Sequence, residues 1–216
     1  MSNRRTQLFF FGALCWKTDQ ITHNEAELKR KCDRSYSQSG FLSRYSFGLR
    51  YDIFTRFHSK PGYRLFATDF TPSMPRSRVQ VDREILGSVF CLCPSGTGWG
   101  MRVFHVLVLG CIPVLTQDDG EHPKVAQAFE PEVLDWSEFA VVVPRAKIPQ
   151  LDTVLASVDI AAKRQALRKV WTRIVWRDTL PRALAERLPG PDAFETLLAA
   201  ISKRLDGANR TSRRQR

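Results

Sequence analysis

Apolar positions along this chain gather into short runs, separated by glycine, proline and charge. Leu8-Phe9-Phe10-Phe11, closed near Gly12, predicts a first strand over residues 7–13. Residues 24–31 have helical spacing, with Asn24 placed to cap the turn that carries Glu25 and Glu27. Phe47, Leu49, Ile53, Phe54 and Phe57 recur at near-helical intervals across 45–57. Pro61-Gly62 marks a turn, residues 63–67 a strand and 72–78 a loop. Val89-Phe90-Cys91-Leu92, stopped by Pro94, has the uninterrupted apolar character of a buried parallel strand. A glycine-rich loop over 94–100 follows. Three valines give residues 101–109 strand propensity, but their place between two short strands calls for a crossover helix, ended by Gly110.

Residues 111–115 form the next strand, and Pro113 implies that it is a strand end. A further strand is expected at 139–143, a short helix at 148–158, and a longer one at 159–176 with Ile160, Leu167, Val170, Trp171 and Ile174 on one face. The last helix starts at Pro191, packs through Phe194, Leu197, Leu198, Ile201 and Leu205, and exits at Gly207. Strands alternating with helices predict an α/β fold with an open, mostly parallel sheet.

With 216 residues, 43% of them hydrophobic, the chain can bury a sizeable core and is not of the disordered class. The longest apolar run, 103–114, is too short to cross a bilayer. The basic start, Arg4-Arg5, before the run from Leu8 to Leu14 has the layout of a signal peptide, and equally that of a buried first strand. The net charge of +11 raises the question of a nucleic-acid partner. Six basic residues against Asp206 fall within 203–216, a +5 segment read as a frayed tail. The remaining excess suits an anionic small ligand as well as a polyanion. The five cysteines cannot all pair, and Cys91-Leu92-Cys93 lacks the spacing of common zinc ligands, so they read as buried free thiols in strands. Asn209-Arg210-Thr211 is a formal glycosylation sequon.

The segment 88–115 carries the chemistry: strand, glycine-rich loop, helix, strand. Glycines let backbone N–H groups approach phosphate oxygens, and a following helix N-terminus adds partial positive charge. Arg102 sits in that helix's first turn, where it would offer paired donors to a diphosphate, while Ser95 and Thr97 supply hydroxyls beside Gly96. The pattern is neither the Lys-Ser/Thr phosphate loop nor the dinucleotide fingerprint, and a tight turn with an exposed arginine explains the spacing as well. Asp118 and Asp119 follow a strand at the sheet edge where α/β folds bind ligands, though adjacent carboxylates also suit a solvated turn. Glu121 and Glu130 are each able to accept two ribose hydroxyls. His105, inside an apolar run, reads as a core histidine, and His122 as an isolated loop residue. Ser46 and Arg50 lie near a helix start and, taken alone, would be surface residues.

Four stretches, taken in order and spacing, resemble the exostosin family, in particular the exostosin-like proteins of plants and green algae. They are Tyr45-Ser46-Phe47-Gly48-Leu49-Arg50; Ser88 to Gly96 with Gly98-Trp99-Gly100-Met101-Arg102; Gly110-Cys111-Ile112-Pro113-Val114; and Phe129-Glu130 with Val133-Leu134-Asp135-Trp136 and Phe139. The resemblance implies a Rossmann-like open parallel sheet of the kind that forms the C-terminal, nucleotide-sugar-binding domain of a GT-B glycosyltransferase. It would span residues 7–205, between an N-terminal tail (1–6) and a basic flexible tail (206–216). It further implies transfer of a sugar from a UDP-sugar to a glycan acceptor with inversion, in the Golgi, with no metal or other cofactor. Only the donor-binding half is matched, so the half that holds the acceptor, and the catalytic base, lie elsewhere. Carried over by position, Arg102 would meet the diphosphate with Ser95 and Gly96 beside it, Glu130 would take the ribose, and Ser46 and Arg50 would line the phosphate side. The loop 119–127 is longer than the family's, so Glu121 competes with Glu130. A nucleotide-sugar-binding relative without catalysis, or a basic nucleic-acid-binding protein, are the alternatives.

Overall fold

The computed structural model describes residues 4–15, 21–37, 46–70, 77–96, 100–117 and 126–214. Contacts divide the chain into two compact units, Met1–Val125 with Ala140–Ile160, and Ala126–Phe139 with Ala161–Arg216.

The first unit is a five-stranded, wholly parallel open sheet. Its strands are β1 (Thr6–Gly12), β2 (Tyr63–Ala67), β3 (Ser88–Pro94), β4 (Ile112–Thr116) and β5 (Val141–Val142), in the order β2-β1-β3-β4-β5. Among the described residues, its α-helices are α1 (Glu25–Ser37), α2 (Leu49–Phe57), α3 (Arg78–Leu86), α4 (Arg102–Val108) and α5 (Leu151–Ala156). This is the Rossmann-like α/β arrangement expected from the alternating pattern. The apolar start of the chain is a folded strand, with Leu8, Phe9 and Phe10 almost wholly buried. Side chains alternate across a strand. Leu8 and Phe10 join Leu49, Ile53, Phe54 and Phe57 of α2 and Leu151 and Leu155 of α5 in one core cluster, which omits Phe9.

Several elements differ from their predicted form. Helix α3 occupies residues expected to be loop at its start and otherwise unassigned; Ile85 is its one fully buried side chain, so its apolar signal is weak. Its N-cap is Ser77, whose hydroxyl accepts from Gln80 N at 3.3 Å. Helix α2 starts later than expected, at Leu49, because Ser46, Phe47 and Gly48 all hold positive φ (51°, 51° and 79°). Pro113 is the second residue of β4, near the strand's start as expected, although β4 itself is an interior strand. The proline is tolerated because β5 pairs only with Val114 and Leu115, so the missing N–H falls where β5 has not begun. The cysteines are not all free. Cys15 pairs with Cys32 and Cys91 with Cys111, at Cα separations of 5.2 and 5.9 Å, and Cys93 alone remains a buried thiol. Pairing across 17 and 20 residues depends on the fold, which a count of cysteines does not reveal.

Two polar anchors fix the sheet's edges. At the amino edge Arg4 donates to the carbonyls of Ile85 (3.0 Å), Ser88 (2.6 Å) and Leu109 (3.1 Å). Beyond the carboxyl end of β1, the buried Asp69 carboxylate accepts from Leu14 N (3.0 Å) and Cys15 N (2.9 Å), fixing where the chain leaves the strand.

The second unit contains α6 (Ile160–Val170), α7 (Arg182–Ala185) and α8 (Ala193–Arg214). The long helix predicted over 159–176 ends at Val170 and continues as a 3-10 turn, Trp171–Ile174. Helix α8 runs through Gly207 rather than exiting there, so residues expected in a flexible tail are helical as far as Arg214. Its expected packing face is also reversed. Ala193, Thr196 and Ala200 are buried, whereas Phe194, Leu198, Ile201 and Leu205 are each about half exposed. The helix starts with a capping box: Asp192 Oδ1 accepts from Glu195 N at 3.0 Å and Glu195 Oε2 accepts from Asp192 N at 2.9 Å. No helix among the described residues is long and apolar enough to cross a membrane.

Candidate functional site

The strand order reverses between β1 and β3. From β1 the chain passes to β2 on one side, and from β3 to β4 on the other. In open parallel sheets the crevice outside the carboxyl ends of the strands, at this reversal, is the usual ligand site. Here its floor is Gly12, the last residue of β1, and Ser95-Gly96, just beyond β3.

Two arginines converge on this point. Arg50, in the first turn of α2, is buried; its Nε donates to Ser95 O (2.9 Å) and its Nη1 to Ala13 O (3.0 Å). One planar guanidinium therefore ties the ends of β1 and β3 together across the reversal. Arg102, in the first turn of α4, lays its guanidinium over Gly12: a Cβ built there would lie 2.6 Å from Arg102 Nη2 and 3.6 Å from Arg50 Nη1. Beneath both lies the ring of Phe10, with its centroid 5.0 Å from Arg102 Cζ and 5.8 Å from Arg50 Cζ. The ring face favours a nearby cation and limits where the guanidinium groups go. Helix α4 has only seven residues and its N-cap, Met101, makes no side-chain cap. The positive charge at its start therefore resides in the Arg102 side chain more than in the helix dipole expected from sequence.

The glycine-rich loop is positioned from the opposite side. Ser46 N donates to Gly96 O (2.9 Å), and Ser46 Oγ accepts from Arg50 N (3.3 Å). Ser46 is fully buried, so it acts on the loop rather than facing solvent. The successive positive φ values of Ser46, Phe47 and Gly48 aim that N–H at the loop, and Arg145 donates to Phe47 O. For Ser46 and Phe47 this conformation carries strain. Ser95 N donates to Thr116 O (3.2 Å), linking the ends of β3 and β4. Ser95 Oγ and Thr116 Oγ1 are both buried with no hydrogen-bond partner among the described residues. Each orphan hydroxyl costs about 1–3 kcal/mol, and such atoms call for explanation. They lie at the carboxyl ends of β3 and β4. Cys93, next to this edge, has its thiol pushed up to about 12 by burial, against the opposing pull of Arg102 and Arg50.

A cavity of about 540 Å³ opens beside Arg102, lined by Phe11, Gly12, Ser77, Arg78, Val81, Arg102 and His105. His105 is not the core histidine expected from its apolar neighbours. Its side chain is one-third exposed, and its Nε2 lies 2.7 Å from Asp82 Oδ1 on α3.

The structure thus brings Ser46, Arg50, Ser95, Gly96 and Arg102 together, and adds Gly12, Phe10, Thr116 and His105. Gly12 marked only the end of a strand in the sequence, and Thr116 and Asp82 carried no signal. Thr97, Asp118, Asp119, Glu121 and His122 lie outside the described residues. Glu130 belongs to the second unit. It is buried, and its Oε2 accepts from Gln127 N (3.1 Å) across a turn that contains Phe129, which has a φ of 62°. At least one carboxylate oxygen is thus engaged in shaping its own turn. In the same segment Trp136 Nε1 donates to Ala128 O (2.9 Å). Among the described residues no group of three or more His, Cys, Asp or Glu is arranged to hold a metal ion.

The sequence is similar to plant glycosyltransferases. It is 28% identical over 166 residues to a probable glucuronosyltransferase of Oryza sativa subsp. japonica, covering 74% of this chain and 35% of that protein. It is 29% identical over 164 residues to the probable beta-1,4-xylosyltransferase IRX10 of Arabidopsis thaliana, covering 74% and 35% respectively. Another Oryza sativa probable glucuronosyltransferase is 30% identical over 164 residues, covering 74% and 33%. The chain therefore spans about a third of the length of these relatives. The model of the exostosin GT47 domain matches residues 1–158, which include every strand and both arginines of the reversal point; the chain belongs to the exostosin GT47 family.

Proposed function

We propose that this chain is the nucleotide-sugar-binding domain of an inverting glycosyltransferase, with the Arg50–Arg102 pair over Gly12 receiving the diphosphate of a UDP-sugar. The carrying observation is the convergence of two guanidinium groups on a side-chain-free strand end at the sheet's reversal point. In sugar transfer the leaving group is the nucleoside diphosphate, whose negative charge grows as the glycosidic bond to the donor breaks. Fixed cations aimed at that charge lower the barrier without reorganising. Arg102 is placed for that part, while Arg50 holds the strand ends at the spacing the diphosphate needs. The arginines supply the positive charge, and the reading calls for no cofactor besides the donor. The names of the relatives point to glucuronic acid or xylose as the sugar, and the acceptor would be a glycan. Residues 7–205 would then serve as the C-terminal domain of a GT-B enzyme, with the acceptor and its activating base held by another domain. Two disulfides suit an oxidising compartment such as the secretory pathway, in keeping with a Golgi location.

The test is calorimetry with UDP and uridine on the folded chain and on Arg102→Ala. A guanidinium–diphosphate contact contributes about 1.5–3 kcal/mol, so UDP affinity should fall about 10- to 150-fold while uridine affinity is unchanged. Equal losses for both ligands, or no UDP binding by the folded wild-type chain, would sink the reading.

A further inference from the structure

Helix α4 places Arg102 and His105 three residues apart, hence on one face, and both line the same cavity. The imidazole is held from behind by Asp82 on α3, with 2.7 Å between Nε2 and Oδ1. An ionised carboxylate only accepts, so Nε2 carries the hydrogen of this contact and Nδ1 is the nitrogen at which a further proton is gained or lost. The charged groups around it can be named by element. Helix α3 contributes Arg78 to the lining and Asp82 to the contact; α4 contributes Arg102. The end of β1 contributes Phe11 and Gly12, which carry no charge. Beneath α4, β3 and β4 hold only the Cys91 half of a disulfide and the Cys93 thiol, which burial keeps silent to about 12. Among the described residues the lining thus holds two fixed cations, and the nearest carboxylate is that of Asp82, behind the imidazole. A bound dianion adds negative charge beside the imidazole, which favours its protonated form.

We propose that His105 is a third anion-binding residue of the donor site, taking up a proton from solvent at Nδ1 as the diphosphate binds, and that Asp82 is the residue positioning it. The inference rests on the diphosphate reading above. It adds that donor affinity rises as pH falls, because the liganded state binds more protons than the free state.

The probe is UDP-xylose, whose diphosphate is esterified at both ends and does not titrate between about pH 5.5 and 8, so any pH slope belongs to the protein. Affinity should rise at least about 5-fold from pH 8 to 5.5, with proton uptake seen by calorimetry in buffers of different ionisation enthalpy. His105→Gln should lose both the slope and the uptake. Asp82→Asn should shift the rise to lower pH, because the imidazolium loses its counter-charge; a purely structural role would weaken binding equally at all pH values. Arg102-dependent binding that is flat with pH, or a slope that survives in His105→Gln, overturns this inference alone. Absence of binding at every pH overturns the diphosphate reading with it. If His105→Gln does not fold, proton uptake by the wild-type chain decides, and zero uptake sinks the proposal.

Discussion

Gly12→Ala separates the proposed diphosphate site from the fold. The new Cβ would lie 2.6 Å from Arg102 Nη2, about 0.8 Å inside ordinary contact, but at ordinary distances from Phe10 Cζ (3.4 Å) and Arg50 Nη1 (3.6 Å). The Gly12 φ is not in the left-handed region, so alanine fits the backbone. The only atom that must move is the far end of a flexible side chain. Stability should therefore stay within about 1 kcal/mol of wild type, alanine being slightly favoured over glycine inside a strand. Ligand binding should respond differently. Pushed aside by most of an ångström, the Arg102 guanidinium loses charge-assisted hydrogen bonding of about 1.5–3 kcal/mol, which weakens UDP about 10- to 150-fold. Calorimetry with UDP gives the affinity and urea denaturation the stability. The double variant Gly12→Ala/Arg102→Ala should bind UDP no worse than Arg102→Ala, because the clash needs the arginine. Additive losses in the double variant, or unchanged affinity in Gly12→Ala, would show that Arg102 does not reach the phosphates from above Gly12.

Two further outcomes follow from groups outside the site. The Asp192 carboxyl is held below the ordinary carboxylate range, first by the Glu195 backbone N–H and further by that of Arg177, so the fold favours its ionised form. Its contribution is full above about pH 4 and fades as pH drops further. Asp192→Ala should thus lose about 1 kcal/mol at pH 7, read by urea denaturation or by amide exchange in the first turn of α8, and the gap should close towards pH 2–3. A gap that persists in acid would refute the assignment. In denaturant without reductant, alkylation and mass spectrometry should label Cys93 alone, and after reduction all five cysteines. Labelling of Cys91 or Cys111 before reduction would contradict the pairing.

Elements whose apolar runs are long and buried on both sides were legible from sequence: β1, β3, β4, and α4 by its place between strands. Helix α3 was not, because one buried isoleucine leaves no periodic signal. The stripe of α8 was read correctly as a stripe but assigned to the wrong environment. Periodicity identifies a face, and here the small residues Ala193, Thr196 and Ala200 are the buried ones. Arg102 and the glycine-rich loop stood out by residue type and order. Arg50 had its place on the phosphate side only through the resemblance, and its bridging of Ala13 and Ser95 came from geometry, since residues 82 apart in sequence must end side by side. His105 was misread because Val103, Val106 and Leu107 around it are core residues, while its own side of the helix faces a cavity.

The Cys91–Cys111 bond has a topological consequence. Its two sulfurs join positions 20 apart in sequence, and the segment between them holds Ser95, Gly96, Arg102 and His105, so this part of the proposed donor site lies within a single covalent ring, with Gly12 and Arg50 outside it. A peptide-bond break anywhere within that ring would open the loop but release no fragment. The end of β3 with Ser95-Gly96 and the helix that supplies Arg102 would remain parts of one molecule even when the backbone between them is cut. In the unfolded chain the same ring restricts how far these residues separate, a constraint equivalent to about 3 kcal/mol for a loop of this size. The segment thus behaves as a cassette, closed on itself and attached to the rest of the protein at one covalent knot.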